Sequence, residues 1–278
     1  MKKLLTLLAI TFTTLTYAQN KTTNQILEEG KLLFRLEKAS WYGTDDMLAR
    51  FPEKRDSIGG YLSYENLDGR VNNIFYSRFD PNYILVRYEF DIVPLEKPIK
   101  IDSINHQATE IEKNLITIRI DATKRLYANE DKTFKFYENT SNNIIPLILN
   151  NQKVVFILTA STSSDYILIG NDYKLTYNSK NEFVKTEKIH ESLLNFAYKF
   201  EDPEIKTTST MHSHVLSDYI SSTDICTLLL YKDFLDWNQH IVVSKNWVSI
   251  FNMENQTLFT VKTKAWKRMA KDQEKRNK

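Results

Sequence analysis

The chain has 278 residues, 37 Lys and Arg against 35 Asp and Glu, and a single Cys. That length allows one large domain or two small ones. The lone Cys226 excludes an intrachain disulfide, and the near balance of charge excludes the basic footprint of a nucleic-acid binder.

In chain order, the first element is a leader. Met1-Lys2-Lys3 is a short basic start, residues 4–16 are uncharged and mostly apolar or small, and Thr16-Tyr17-Ala18 places small residues at −3 and −1 of a cut after Ala18. This is the pattern of a secretory signal peptide over 1–18. The apolar run is too short for a bilayer span of ~20 residues; the alternative is a buried N-terminal helix or strand. No Cys adjoins the cut, which argues against a lipid anchor. Without Lys2 and Lys3 the balance is 35 against 35. A periplasmic or secreted protein with no transmembrane segment in its mature chain is expected.

Apolar periodicity predicts a helix over 23–38, and Thr44 caps a second short helix over 45–51 that Pro52 stops. Strands follow over 60–64, 71–77 and 83–92. A helix over 107–128 carries Ile111, Leu115, Ile118, Ala122 and Leu126 on one face. Strands are then expected over 144–149, 154–159, 166–169, 173–177 and 183–186, with Asn150-Asn151 as a hairpin turn. A strand ends over 211–214, a helix runs over 223–237, and strands over 240–244 and 247–251 are joined by Lys245-Asn246. The fold class is α+β: N-terminal helices and antiparallel strands, then a strand-rich domain with a buried helix near 223–237. The expected division is 1–18 leader, 19–140 N-terminal region, 141–261 second domain and 262–278 tail. The tail has eight Lys and Arg against Asp272 and Glu274; it reads as a solvated helix or as a lipid or polyanion contact.

Candidate chemistry is concentrated in one place. Four of the five His lie at 190, 212, 214 and 240. In a strand, His212 and His214 share a face and can converge on one ion, with Asp224 of Ser221-Ser222-Thr223-Asp224 as a third ligand. Two His and a carboxylate leave a fourth zinc position open, as in catalytic sites, where zinc acidifies water and polarises carbonyls. The same Ser-Ser-Thr-Asp is also ordinary helix N-cap chemistry. His240 is either a supporting residue or a satisfied core histidine. His190 is expected exposed, and is a replacement ligand if Asp224 is only a cap. Cys226 lies about 200° around the helix from Asp224, so it reads as core rather than as a nucleophile.

His-x-His, then Ser-x-x-Asp, then a helix and hydrophobic strands over 207–251 resembles the JAMM (MPN-type) metalloproteases. The resemblance implies zinc held by His212, His214 and Asp224, with Ser221 supporting the tetrahedral intermediate, and cleavage of peptide or amide bonds in an unspecified peptide or protein. Val215 stands where that family usually has Pro, and the His-to-Asp interval is one residue shorter. The family's upstream Glu motif has no counterpart; Glu138, Glu182, Glu187 and Glu191 are available, and the general base is unassigned. The rival expectation is a non-catalytic exported protein that binds a ligand or partner. Ala39-Ser-Trp-Tyr-Gly-Thr-Asp45, Gly59-Gly-Tyr-Leu-Ser-Tyr64 and residues 224–229 resemble a group of exported Bacteroidota proteins, which implies export and no activity. Trp41 and Tyr42 are expected at a helix end, packed on the core or exposed to a glycan or peptide.

Overall fold

The computed structural model describes residues 2–276 except 95, 150, 164–165 and 199–206, with side chains from residue 22 onward. The leader expected over 1–18 and its cleavage point lie outside the described side chains. The chain divides into two compact units, a central one of residues 32–199 and a terminal one of residues 1–31 with 200–278. The protein is α+β.

α1 (Lys2–Arg50) contributes its first part to the terminal unit and the remainder to the central one. The expected break near Gly43 and Thr44 does not occur; one helix replaces two and ends where Pro52 opens a 3-10 turn over Pro52–Ser57. Gly43 serves contact rather than a turn, since a Cβ there would lie 2.1 Å from Asn73 Oδ1. Trp41 and Tyr42 therefore sit within a helix, with Lys38 Nζ 5.6 and 5.2 Å from their ring centroids.

In the central unit, β1 (Ile58–Glu65), β2 (Val71–Ser77), β3 (Tyr83–Phe90) and β4 (Lys100–Asp102) form an antiparallel sheet in chain order, with β5 (His106–Gln107) also on β3. α2 (Glu110–Ala128) starts on a capping box, Thr109 with Glu112. β6 (Thr140–Leu149), β7 (Gln152–Ser161), β8 (Tyr166–Gly170), β9 (Tyr173–Tyr177), β10 (Phe183–Lys188) and β11 (Leu193–Ala197) follow. They form a sheet ordered β10-β9-β7-β6 and the pair β11-β8. Asn151 takes φ 62° in the β6–β7 hairpin; Asn150 lies outside the described residues.

One apolar core runs through this unit. Leu115, Ile118, Ala122 and Leu126 of α2 pack with Leu62, Ile74 and Ile84 of the first sheet and Val155, Ile157 and Leu175 of the second. Ile111, expected on that face, is exposed because it stands in the first turn of α2, at the end of the packed stripe. Each fully buried aliphatic side chain contributes roughly 1.5–3 kcal/mol.

In the terminal unit, β12 (Ser209–Ser213), α3 (Ser222–Tyr231), β13 (Gln239–Val243), β14 (Trp247–Asn252), β15 (Thr257–Lys262) and α4 (Thr263–Arg276) follow one another. The sheet order is β12-β13-β14-β15. β12 and β13 are parallel, so α3 is their crossover, while the last two pairings are antiparallel hairpins. α3 is shorter than the expected 223–237 helix: a 3-10 turn over Lys232–Phe234 ends it. Strand β15, not anticipated from the sequence, pairs along the whole of β14. Ile225, Cys226, Leu228, Leu229 and Leu230 of α3 are buried, so Cys226 is a core residue. Gly30 of α1 lets this helix meet α3 at close range: a Cβ there would stand 2.7 Å from Ile225 Cβ and 2.9 Å from the Ser222 carbonyl oxygen.

Candidate metal centre

β12 carries His212, and the ladder continues one step past the strand, where His214 N–H donates to the Val243 carbonyl (2.9 Å). Period-two alternation therefore keeps both imidazoles on one face, with ring centroids 4.8 Å apart. The chain turns through residues 215–220 and enters α3 at Ser221. Ser221 Oγ accepts from Asp224 N–H (3.0 Å), and Asp224 Oδ2 accepts from Ser221 N–H (2.9 Å). This capping box holds the carboxylate still. Asp224 is a cap, and the cap leaves its carboxylate beside the two imidazoles, so the two readings of the sequence motif are compatible.

Asp224 Oδ2 lies 3.2 Å from His214 Nε2 and 3.9 Å from His212 Nε2. One ligand atom from each of His212, His214 and Asp224 lies within 4.8 Å of the others. Some point is therefore within about 2.8 Å of all three (4.8 Å divided by √3), close to the ~2.0–2.2 Å reach of zinc ligation. All three residues are buried, at 7%, 7% and 1% exposure.

Proton bookkeeping sharpens this geometry. His214 Nδ1 is 2.8 Å from the Tyr219 carbonyl oxygen and 2.9 Å from Ser217 Oγ. A carbonyl only accepts, so Nδ1 carries hydrogen and donates. In the neutral ring Nε2 then presents its lone pair to a carboxylate oxygen 3.2 Å away. Two electron-rich atoms at that distance require a proton or a cation between them. Either a proton on Nε2 or a cation satisfies the pair, so the donor set is compatible with a metal ion.

His240, on β13, is a core histidine with both ring nitrogens partnered, and one of those partners is His212. His240 is fully buried, and Nε2 lies 2.8 Å from His212 Nδ1 while Nδ1 lies 2.7 Å from Thr210 Oγ1. Ligation through His212 Nε2 needs hydrogen on His212 Nδ1. That hydrogen is donated to His240 Nε2, and His240 donates from Nδ1 to Thr210. The chain Thr210–His240–His212 would thus set the His212 tautomer if His212 held a metal, as such partners do for metal-bound histidines. Burial, then the neighbouring His212, pushes the His240 pKa down to about 3, so this ring is neutral at pH 7. Sequence inspection named His240 without its partner; the parallel β12–β13 register, which pairs Thr210 with His240, makes the link.

Ser221 Oγ also lies 3.0 Å from Thr223 Oγ1. Ser222 Oγ donates to Glu29 Oε1 (2.6 Å), bringing one carboxylate of α1 to the start of α3. Glu29 was missed from sequence because it is nearly 200 residues upstream. Glu138, Glu182, Glu187 and Glu191 belong to the central unit. His190 belongs there too and is buried rather than exposed, with Nδ1 3.3 Å from Asp172 Oδ2. It follows directly after β10, where Ile189 N–H still bonds the Asp172 carbonyl and carries the chain inward.

Among the described residues no helix is long and apolar enough to cross a membrane. Comparison of the chain with protein-family models, with curated proteins and with solved structures gave no match.

Proposed function

We propose that His212, His214 and Asp224 hold a zinc ion and that the protein is an exported, JAMM-like hydrolase of peptide or amide bonds. The observation that carries the metal part is the His214 Nε2–Asp224 Oδ2 approach, with the hydrogen of His214 committed to the Tyr219 carbonyl. Support for the rest is the order His-x-His, Ser-x-x-Asp, helix, parallel strand, together with an export-type leader. Zinc bound there would supply Lewis acidity towards a carbonyl oxygen. Of the chain's own groups, Asp224 is oriented by its cap and His212 by His240. The Ser221 hydroxyl hydrogen is shared with Thr223 or directed to a substrate oxygen. The general base is unassigned: Glu29, bound by Ser222 at the start of α3, lies about 200° around the helix from Asp224.

One observation favours the rival, a non-catalytic exported binding protein with a structural metal. The three ligands are nearly closed to solvent, as in sites that contribute to folding rather than turnover.

Metal analysis of purified protein beside His212→Ala and His214→Ala tests the centre. One equivalent of zinc in the wild type and loss in both variants is expected; equal zinc in all three sinks it. Activity separates the readings: under the hydrolase reading the zinc-loaded wild type cleaves a peptide library and His214→Ala does not, whereas a zinc-loaded wild type without cleavage supports the rival. Export is tested by the N-terminus of protein recovered outside the cytoplasm, expected at Gln19.

A further inference from the structure

The terminal unit has a second built feature, remote in chemistry from the His/Asp centre. A groove of about 740 Å³ lies between the β13–β14 turn and the first turns of α4. Six of its eight lining residues are cations: Lys245, Lys262, Lys264, Lys267, Arg268 and Lys271. No carboxylate is among the described lining residues. The walls are fixed to each other: Thr263 N–H donates to the Asn246 carbonyl (3.1 Å), and Thr263 Oγ1 donates to the Ser244 carbonyl (3.1 Å). Asp218 takes the Asn246 side-chain amide (2.9 Å), which holds the turn in place. Lys262 Nζ stands 3.6 Å from the centroid of Trp247, so its position is set by a cation–π contact.

Helical spacing concentrates the α4 charges. At about 100° per residue, Lys264, Lys267, Arg268, Lys271 and Lys275 fall within an arc of roughly 100°, and Trp266, Met269 and Ala270 occupy the opposite side. Like charges around one concave surface repel, and the N-terminal end of a helix adds positive potential. A ligand with several negative charges relieves both.

We propose that this groove is a binding site for a phosphate-bearing polyanion. Two sources offer that chemistry, a soluble polyphosphate or the headgroups of an anionic bilayer. The full-length protein in zinc-free buffer is titrated with inorganic tripolyphosphate by calorimetry. In parallel it is sedimented with phosphatidylglycerol-containing vesicles and with phosphatidylcholine vesicles. Binding to tripolyphosphate assigns a soluble ligand. Binding only to the anionic vesicles, weakened by Trp266→Ala, assigns a lipid headgroup. In either case K264A/K267A/K271A weakens binding more than tenfold, at roughly fivefold per charge, and added salt weakens it further. All three lysines are exposed, so the variant's circular dichroism is expected to match the wild type. Lys275→Ala, outside the groove lining, leaves binding unchanged. No binding to either probe above the phosphatidylcholine baseline overturns the site. So does a triple variant that binds like the wild type, or an equal loss in Lys275→Ala.

Discussion

Two helices of this protein begin with the same device and put it to different use. α2 opens on Thr109-x-x-Glu112 and α3 on Ser221-x-x-Asp224, both reciprocal capping boxes with an acid almost fully buried at the third position. Glu112 meets a permanent cation: Arg87 grips both carboxylate oxygens (2.8 and 3.0 Å), and Tyr64 Oη donates to Oε1 (2.9 Å). Asp224 meets two imidazoles, whose charge is conditional on a proton or a metal. A guanidinium is charged at any working pH, so Glu112 is a structural acid. A histidine pair makes Asp224 responsive. The capping motif does not distinguish the two; the opposing strand does.

Breaking each acid separates these roles. Glu112→Gln strips the half-buried Arg87 of its counter-charge and is expected to cost up to about 3 kcal/mol of central-unit stability, the low end for a buried pair, measured by denaturant unfolding, with no change in zinc content. Asp224→Asn should abolish zinc-dependent stabilisation. Zinc at about 1,000 times its Kd raises wild-type stability by about 4 kcal/mol, and a variant that still shifts in a thermal melt contradicts Asp224 as a ligand.

The units also titrate in opposite directions. In the central unit, burial pushes Glu37 up to about 7, against the pull of Arg119 and Asn143. The folded state holds this proton longer than the unfolded state, so stability falls as pH rises from about 4.5 to 7. The loss is at most about 3 kcal/mol, and Glu37→Gln flattens that slope. In the terminal unit, His240 is held neutral, so metal-free protein loses stability as pH falls from about 6.5 towards 3. Unfolding of wild type, Glu37→Gln and metal-free protein across that range reads both limbs; a wild-type slope identical to that of Glu37→Gln removes the first.

The smallest expected effect concerns the caps themselves. Thr109→Ala and Ser221→Ala should each cost about 1 kcal/mol. Only Ser221→Ala should also weaken zinc binding, since it removes the hydroxyl that fixes the Asp224 backbone N–H and so loosens the residue that carries the carboxylate. Equal zinc affinity in both variants would show that the second box is a cap and nothing more.

Much of the fold was legible in local pattern. β2 falls on its expected residues, α2 within three, and the His-x-His and Ser-x-x-Asp elements fall on a strand end and a helix start as expected. The errors have physical causes. Gly43 reads as a helix break, but it is a contact point against Asn73, a non-local demand that no propensity records. His190 reads as exposed because its neighbours are charged, yet its backbone follows β10 into the interior beside Asp172.

By itself the sequence determined which residue types stood ready for chemistry: two imidazoles at strand spacing, an acid in a cap, one core thiol and a basic tail. Tertiary structure decided what they face. Parallel pairing of β12 with β13 set His240 behind His212, the turn after His214 took its hydrogen to Tyr219, and α1 delivered Glu29 to the start of α3. Capping and alternation are short-range and can be read along the chain. The partner of a buried acid is chosen by contacts between residues far apart in sequence, and here that choice separates Glu112 from Asp224.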